Sequence, residues 1–587
     1  MLPHKQIELR LQAAVRQILP NVSDAEISTI LIRPCPNPVY GDYQCSSLLS
    51  LAKREKIRPV DLTGDVIQYF NYNKFDDLCH YELAGAGFLN FRLKKPALTQ
   101  TLEAAARGEH LFFEKTSAPK TVVIDFSSPN VAKPMHVGHI RSTILGDSLA
   151  RTLRLLGHRG ITDNHIGDWG TQFGMLLFGW KREDSQNKVN FRAALNIDPL
   201  GEMERLYKRI SAECQSNPEV LNKCREELVK LQKSEVENLN IWENMVEWSQ
   251  NQFGKIYSRL GVKFDVTLGE SFYNPKLKPL VDELLAKNIA RESEGAIAIF
   301  FDDVPQLKEH PALIRKSDGG FNYTTTDLAT LAYRLETWQP DEIIYVTDGR
   351  QQLHFQQLFA AFRKWHGESN TKLAHVWFGS ILGEDGKPFK TRSGETVKLA
   401  DLLDEAEERA FKIVSEKNPE LPEAQRKEIA RVVGIGAVKY ADLLPNRQSD
   451  YIFSWDKMLA LQGNTAPYLL YAYARIKSIF RKSEAGSSPA TCHLSLTLAA
   501  PEEIALAKHL SNFGLTLEAV AEEYRPNYLC NYLFELAVHF SRFFENCPVL
   551  KADSEALRDS RLALCDLTAR VLKQGLETLG IETVEQM

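Results

Sequence analysis

Residues 121–141 read TVVIDFSSPNVAKPMHVGHIR. Val122 to Phe126 are mostly apolar and partly β-branched, which predicts a buried strand. Ser127, Ser128, Pro129 and Asn130 spell a turn. After Pro134 the period changes: Ile140, Ile144, Leu145, Leu149, Leu153 and Leu156 recur at helical spacing, and Gly157 supplies a stop. The stretch is therefore strand, loop and helix, with His136 and His139 at the loop–helix junction. The first N–H groups of a helix lack partners and the helix dipole adds positive charge there, so such a junction attracts anions. Two imidazoles three residues apart, Gly138 between them and Lys133 beside them suit a nucleoside triphosphate.

Outward from this motif, strand and helix patterns alternate. GITDNHIGDWG (160–170) predicts a second strand and its turn, and EIIYVTDGRQQLHF (342–355) a buried strand, a turn and a helix carrying Gln351 and His354. Such alternation argues for a parallel sheet with helices on both faces, which binds ligands beyond the carboxyl ends of its strands. Residues 200–260 are helix-rich and charge-alternating without clustered chemistry, and are expected to be structural. Residues 1–110 mix helical and strand patterns, as an α+β accessory domain does. From 405 to 587 the pattern is helical, and GNTAPYLLYAYARIKSIFRK (463–482) interleaves aromatic and basic residues in the manner suited to unstacked RNA bases.

Bulk properties bound the function. A chain of 587 residues needs about three or four domains. With 44% hydrophobic and 25% charged residues it has the composition of a soluble globular protein, and the charged N-terminal helix is not a signal peptide. No apolar run spans a membrane, so a cytoplasmic protein is expected. Nine cysteines without a CxxC pair argue against both a disulfide framework and a zinc ribbon. The net charge of −5 neither supports nor excludes an RNA partner, which needs only a local basic face.

SSPNVAKPMHVGHIRSTILGDSLAR (127–151) resembles the HIGH region of class I aminoacyl-tRNA synthetases, specifically of arginyl-tRNA synthetases, and NHIGDWGTQFGML (164–176), GGFNYTTTDLATLAYR (319–334) and GNTAPYLLYAYARI (463–476) resemble the same family. The resemblance implies an α/β architecture: a Rossmann-type parallel-sheet catalytic domain over 111–404, an N-terminal α+β add-on domain over 1–110 that leans on the tRNA D-loop, and an all-α anticodon-binding domain over 405–587. It implies ligation of L-arginine to tRNA(Arg) through arginyl-adenylate, with transfer to the terminal 2′-hydroxyl. ATP with Mg2+ is expected as substrate, no structural metal is expected, and the chain is expected to be a monomer.

A pocket for arginine must match a planar, permanently charged fork, which carboxylates do bidentately. Asp125 at the strand end and Asp327 in NYTTTDLAT are the candidates, and Tyr323 shares a helical face with Asp327. By resemblance, Tyr323, Asp327 and Gln351 contact the substrate side chain, while Asp125, Ser128, Asn130 and His136 hold its amino and carboxyl end. The ATP set is Pro129, His136, Gly138, His139, His354, Lys390 and Arg392. The expected tRNA contacts are Tyr468, Tyr471, Arg475 and Met587. KPFKTRSG (387–394) stands where other class I enzymes carry KMSKS. If Thr391 takes the place of the second KMSKS lysine, Lys133 is the natural substitute, with Lys390 and Arg392 as alternatives. Two other readings stay open: an adenylate-forming nucleotidyltransferase that uses no RNA, and an RNA-binding relative without activity.

Overall fold

The computed structural model describes residues 1–367, 369–389, 397–482 and 495–587. They form two compact units, one of Ser117–Leu459 with Leu579–Ile581, the other of Met1–Thr116, Ala460–Thr578 and Glu582–Met587.

The first unit is built on five parallel strands: β1 (Thr121–Asp125), β2 (Arg159–Asn164), β3 (Val266–Thr267), β4 (Glu342–Tyr345) and β5 (Lys372–His375). Their spatial order is β5-β4-β1-β2-β3. Helices cover both faces, so the central strands are apolar throughout: Val123, Ile124, Ile343 and Ile344 are fully buried. Because β1 pairs with β2 on one side and β4 on the other, the direction in which successive strands are added to the sheet reverses between β1 and β4. There the register sets Asp125 opposite Tyr345, at the kind of switch point beyond which open parallel sheets bind ligands.

Helix α1 (Val137–Leu155) follows β1, and Ile140, Ile144, Leu145, Leu149 and Leu153 all face the core as the periodicity predicts. A Cβ at Gly146 would stand 2.1 Å from Phe126 Cγ, so glycine lets α1 close on the end of β1. A helical insertion between β2 and β3 includes α2 (Pro199–Ser216). Downstream of β3 come α3 (Glu270–Ala286), α4 (Tyr323–Trp338) before β4, and α5 (Gln352–His366) after it.

The boundary expected at 404 is displaced. Helices α6 (Leu399–Lys417) and α7 (Glu423–Leu443) pack on each other and on α1, and the short strands β6 (Ile381–Leu382) and β7 (Tyr451–Ile452) pair in parallel. The compact unit therefore continues through Leu459. Helical periodicity alone does not say which neighbour a helix packs against.

In the second unit, an antiparallel sheet of four strands, Arg33–Pro34, Tyr43–Cys45, Phe88–Leu93 and Cys79–Ala84 in that order, packs with N-terminal helices. The C-terminal helices, among them α8 (Ala466–Lys482), join the same unit, tied by Lys5 to Glu518 and Lys508 to Asp42, both at 2.8 Å.

Candidate active site

The HVGH turn is a reciprocal cap. His136 is the N-cap of α1: its Nδ1 accepts from the Gly138 N–H at 3.1 Å, and His139 Nδ1 accepts from the His136 N–H at 3.1 Å. The two rings lie 4.0 Å apart between centroids. Burial lowers the pKa of His136 and pushes that of His139 down to about 3, so both are neutral near pH 7. With Nδ1 accepting, the proton of each neutral ring sits on Nε2, which leaves two N–H donors available to phosphate oxygens. A Cβ at Gly138 would fall 2.8 Å from His136 Cε1, so a side chain there would displace the cap.

The loop before the turn is strained and held. Ser127, Ser128 and Ala132 have φ of 72°, 45° and 64°. Such conformations persist only where their surroundings over-determine them. Here Ser127 N–H donates to Ser142 Oγ at 2.8 Å, Ser128 N–H to Asn164 Oδ1 at 3.1 Å, and Ala132 N–H to Ser249 Oγ at 2.9 Å. Ser127 Oγ also meets the Tyr257 hydroxyl at 2.9 Å. Ser249 and Tyr257 belong to the helical insertion (Val236–Leu260), so the segment expected to be merely structural braces the motif loop. Pro129 is buried with its carbonyl accepting from Gly167 N–H, and Asn130 is exposed beside it.

Asp125 is not a free carboxylate. It accepts from Arg334 Nη2 at 2.6 Å through one oxygen and from the Ser128 hydroxyl at 3.0 Å through the other. Fully buried Arg334 also donates to Asp163 at 2.8 Å. Asp125 thus fastens the end of β1 to α4 and to the strained loop.

On the other wall, Tyr323 and Asp327 sit one turn apart on α4, and His354 at the start of α5 meets Asp327, Nε2 to Oδ2, at 2.6 Å. Tyr323 stands edge-on to the His354 ring and is 71% exposed. Gln351 ends the exposed turn Gly349–Gln351 just before α5. Glu270, at the start of α3, belongs to none of the motifs above. Burial pushes its pKa up to about 8, with the charges of Asp327 and Asp168 adding to the shift. Asp168 is itself buried and accepts from the Ser271 N–H and hydroxyl at 2.8 and 2.7 Å. The available signal was position, since Glu270 follows closely on the carboxyl end of a parallel strand. Asp327 and Asp168 both act on Glu270, so three carboxyls lie near one another, with the His354 imidazole on Asp327 and His165 near Asp168.

Lys133 projects over the Tyr207 ring, Nζ 4.4 Å from its centroid. Just beyond KPFKTRSG, the second signature loop, the chain is stitched to the HVGH turn, Val137 N–H to Val397 O at 3.0 Å and Leu399 N–H to Met135 O at 2.9 Å. Lys387 is exposed, and Lys390 and Arg392 lie outside the described residues. Tyr468, Tyr471 and Arg475 share α8 in the second unit. Tyr468 packs on Phe534, Tyr471 is 47% exposed, and Arg475 lies 4.6 Å over Phe544. Met587 is half-buried, close behind Glu585, which accepts from the Tyr473 hydroxyl at 2.8 Å.

Comparisons with known proteins bear on the fold and the family. The family described as tRNA synthetases class I (R), catalytic domain, matches residues 101–455, the DALR anticodon binding domain matches 469–587, and the arginyl tRNA synthetase N terminal domain matches 5–93. The arginine–tRNA ligase of Proteus mirabilis is 45% identical over 95% of this chain and 96% of its own. That of Hahella chejuensis is 44% identical over 96% of both. The arginyl-tRNA synthetase structures of Plasmodium falciparum and Thermus thermophilus superpose with a TM-score of 0.80 each, at 30% and 26% identity, covering 100% of this chain and 99% and 100% of theirs.

Proposed function

Given that the chain belongs to the class I arginyl-tRNA synthetases, we infer from the site how its residues divide the work. The protein is an arginine–tRNA ligase: it activates L-arginine with ATP and passes the arginyl group to tRNA(Arg).

The observation that carries the residue assignment is the group of carboxyls in which Asp327 and Asp168 both act on Glu270 and Asp327 bonds His354; the neutral two-histidine cap of α1 supports the nucleotide side of it. The guanidinium enters among Asp327, Glu270, Tyr323 and Gln351, where charge-assisted bonds replace the His354 contact. Asn130, Ser128 and His136 receive the amino and carboxyl end, and Asp125, held by Arg334, places them. The ATP triphosphate lies along the start of α1, within reach of the Nε2–H donors of His136 and His139. Pro129 and His354 border the nucleotide, and Lys133 and Lys390, with Arg392, meet the phosphates. The arginine carboxylate attacks the α-phosphorus in line and pyrophosphate leaves. The protein supplies position and charge, and forms no covalent bond of its own.

Magnesium comes with ATP as part of that substrate. Tyr468, Tyr471, Arg475 and Met587 are assigned to the anticodon, and the RNA end completes the catalytic site by induced fit. The proposed location is the cytoplasm and the proposed state a monomer. The eight described cysteines are free thiols, and no described helix is long and apolar enough to cross a membrane. Arginine-dependent pyrophosphate exchange, run with and without tRNA(Arg), tests the assignment. Exchange is expected only with tRNA present, and full exchange by the free enzyme would refute the induced-fit step.

A further inference from the structure

Helix α2 of the insertion is a rigid element. Met203, Leu206 and Ile210 on one face are fully buried, and its packing on the helix Thr171–Gln186 fixes its rotation. That rotation turns Tyr207, next to Leu206, toward the motif loop, where its ring lies under the Lys133 ammonium at 4.4 Å. Lys133 is held from its own side as well, by the Ala132 bond to Ser249 and by the Val131 N–H to Gly167 O bond at 3.0 Å. Lys133 forms no ion pair with a described residue. The acidic side chain of α2 nearest in sequence, Glu204, is engaged by Lys208 at 2.9 Å.

We propose that Tyr207 is a positioning residue for Lys133: its ring parks the ammonium beside the HVGH turn, ordered but not neutralised, ready for the triphosphate. A carboxylate would order a lysine too, but it would cancel the charge that the phosphates need and would compete with them for it. An aromatic face attracts a cation through its quadrupole, more weakly than a phosphate does. Lys133 is thus pre-oriented at little cost to its release, which is the economy a preorganised site requires. The helical insertion then contributes to adenylate formation through a side chain that touches no substrate.

This rests on the assignment of Lys133 to the phosphates, and a double-mutant cycle separates the two ideas. Single-turnover arginyl-adenylate formation with tRNA present is measured for Tyr207→Leu, Tyr207→Met, Tyr207→Phe, Lys133→Ala and Lys133→Ala/Tyr207→Leu. The loss expected for Leu and Met is about three- to tenfold with the arginine KM unchanged, while Phe, which keeps the ring face, restores the rate to within about twofold. In the Lys133→Ala background, Tyr207→Leu is expected to cost nothing more. An equal loss in both backgrounds, or a Phe variant as slow as Leu, overturns the positioning role and leaves the Lys133 assignment standing. An undiminished rate in Lys133→Ala overturns that assignment, and the positioning role falls with it.

Discussion

His354 Nε2 closes to 2.6 Å on Asp327 Oδ2, joining the start of α5 to the carboxylate proposed above for the guanidinium. Burial works against charge on this imidazole, but the hydrogen bond to Asp327 and its negative charge together raise the pKa above the ordinary 6.5. A raised histidine pKa means that the charged pair is complete below 6.5 and is lost as pH rises through the folded value. Protonated His354 competes with arginine for Asp327, so the arginine KM should fall as pH rises through that value. In His354→Gln this part of the pH dependence should vanish. An arginine KM profile identical in both proteins would remove His354 from the pocket's gatekeeping.

Asp327→Asn should lose arginine activation by more than tenfold while the ATP KM barely changes. The variant keeps the shape and removes one charge-assisted partner, worth about 1.5–3 kcal/mol, and each 1.4 kcal/mol is tenfold. Pyrophosphate exchange at varied arginine is the measurement; unchanged arginine kinetics would refute the pocket.

Glu270 has a pKa of about 8 in the ligand-free protein, against an ordinary 4.5. It is therefore mostly protonated near neutrality, and an entering guanidinium restores its charge. Close to one proton should be released per arginine bound at pH 7 under conditions where arginine binds, and Glu270→Gln should abolish the release. Calorimetry in buffers of different ionisation enthalpy counts the protons. The sign for stability is opposite to that of a salt-bridged acid: the raised pKa costs nothing below 4.5 and progressively more up to about 8. Glu270→Gln should therefore raise the Tm of the free protein at pH 8 and leave it unchanged at pH 4. A variant with unchanged Tm at both would mean that the carboxyl is not desolvated.

Lys133→Ala should slow adenylate formation by about a hundred- to a thousandfold, the usual cost of one preorganised charge partner, with arginine affinity nearly intact. Lys390→Ala should cost clearly less. Lys133 hangs from a loop pinned between a strand and a helix, so holding its place loses less entropy. A larger loss for Lys390 would reverse the assignment.

Arg141 on α1 and Asp442 on α7 are a buried pair, Nε to Oδ1 3.1 Å with neither side chain appreciably exposed. Arg141 Nη1 also donates to Gly379 O at 2.7 Å, just ahead of β6 and the second signature loop. Asp442→Ala strands a buried guanidinium and should cost about 3–5 kcal/mol in urea unfolding. The double variant Arg141→Met/Asp442→Leu should recover most of that loss. A double variant no more stable than Asp442→Ala would show that the backbone contacts of Arg141, not the ion pair, hold these elements together.

What the chain declares locally is what its sequence determined alone. The β1–loop–α1 unit, its end at Gly157, the facing of His136, Gly138 and His139, and the one-turn spacing of Tyr323 and Asp327 follow from short-range periodicity and capping, which a few adjacent residues encode. The parallel sheet was legible from the alternation of strand and helix signals. What only the tertiary structure decided is which distant residues meet. Strand order β5-β4-β1-β2-β3 sets the carboxyl ends of β1 and β4 side by side. Through it Asp125 becomes the partner of Arg334, and Asp327 that of His354. The position of Glu270 after a strand end was legible, but its raised pKa appears only through its burial near two other carboxylates, and Tyr207, Ser249 and Tyr257 come to the motif loop only through where the insertion folds back. A residue's burial and its long-range neighbours are properties of the packed core as a whole, so no window of sequence around it contains them.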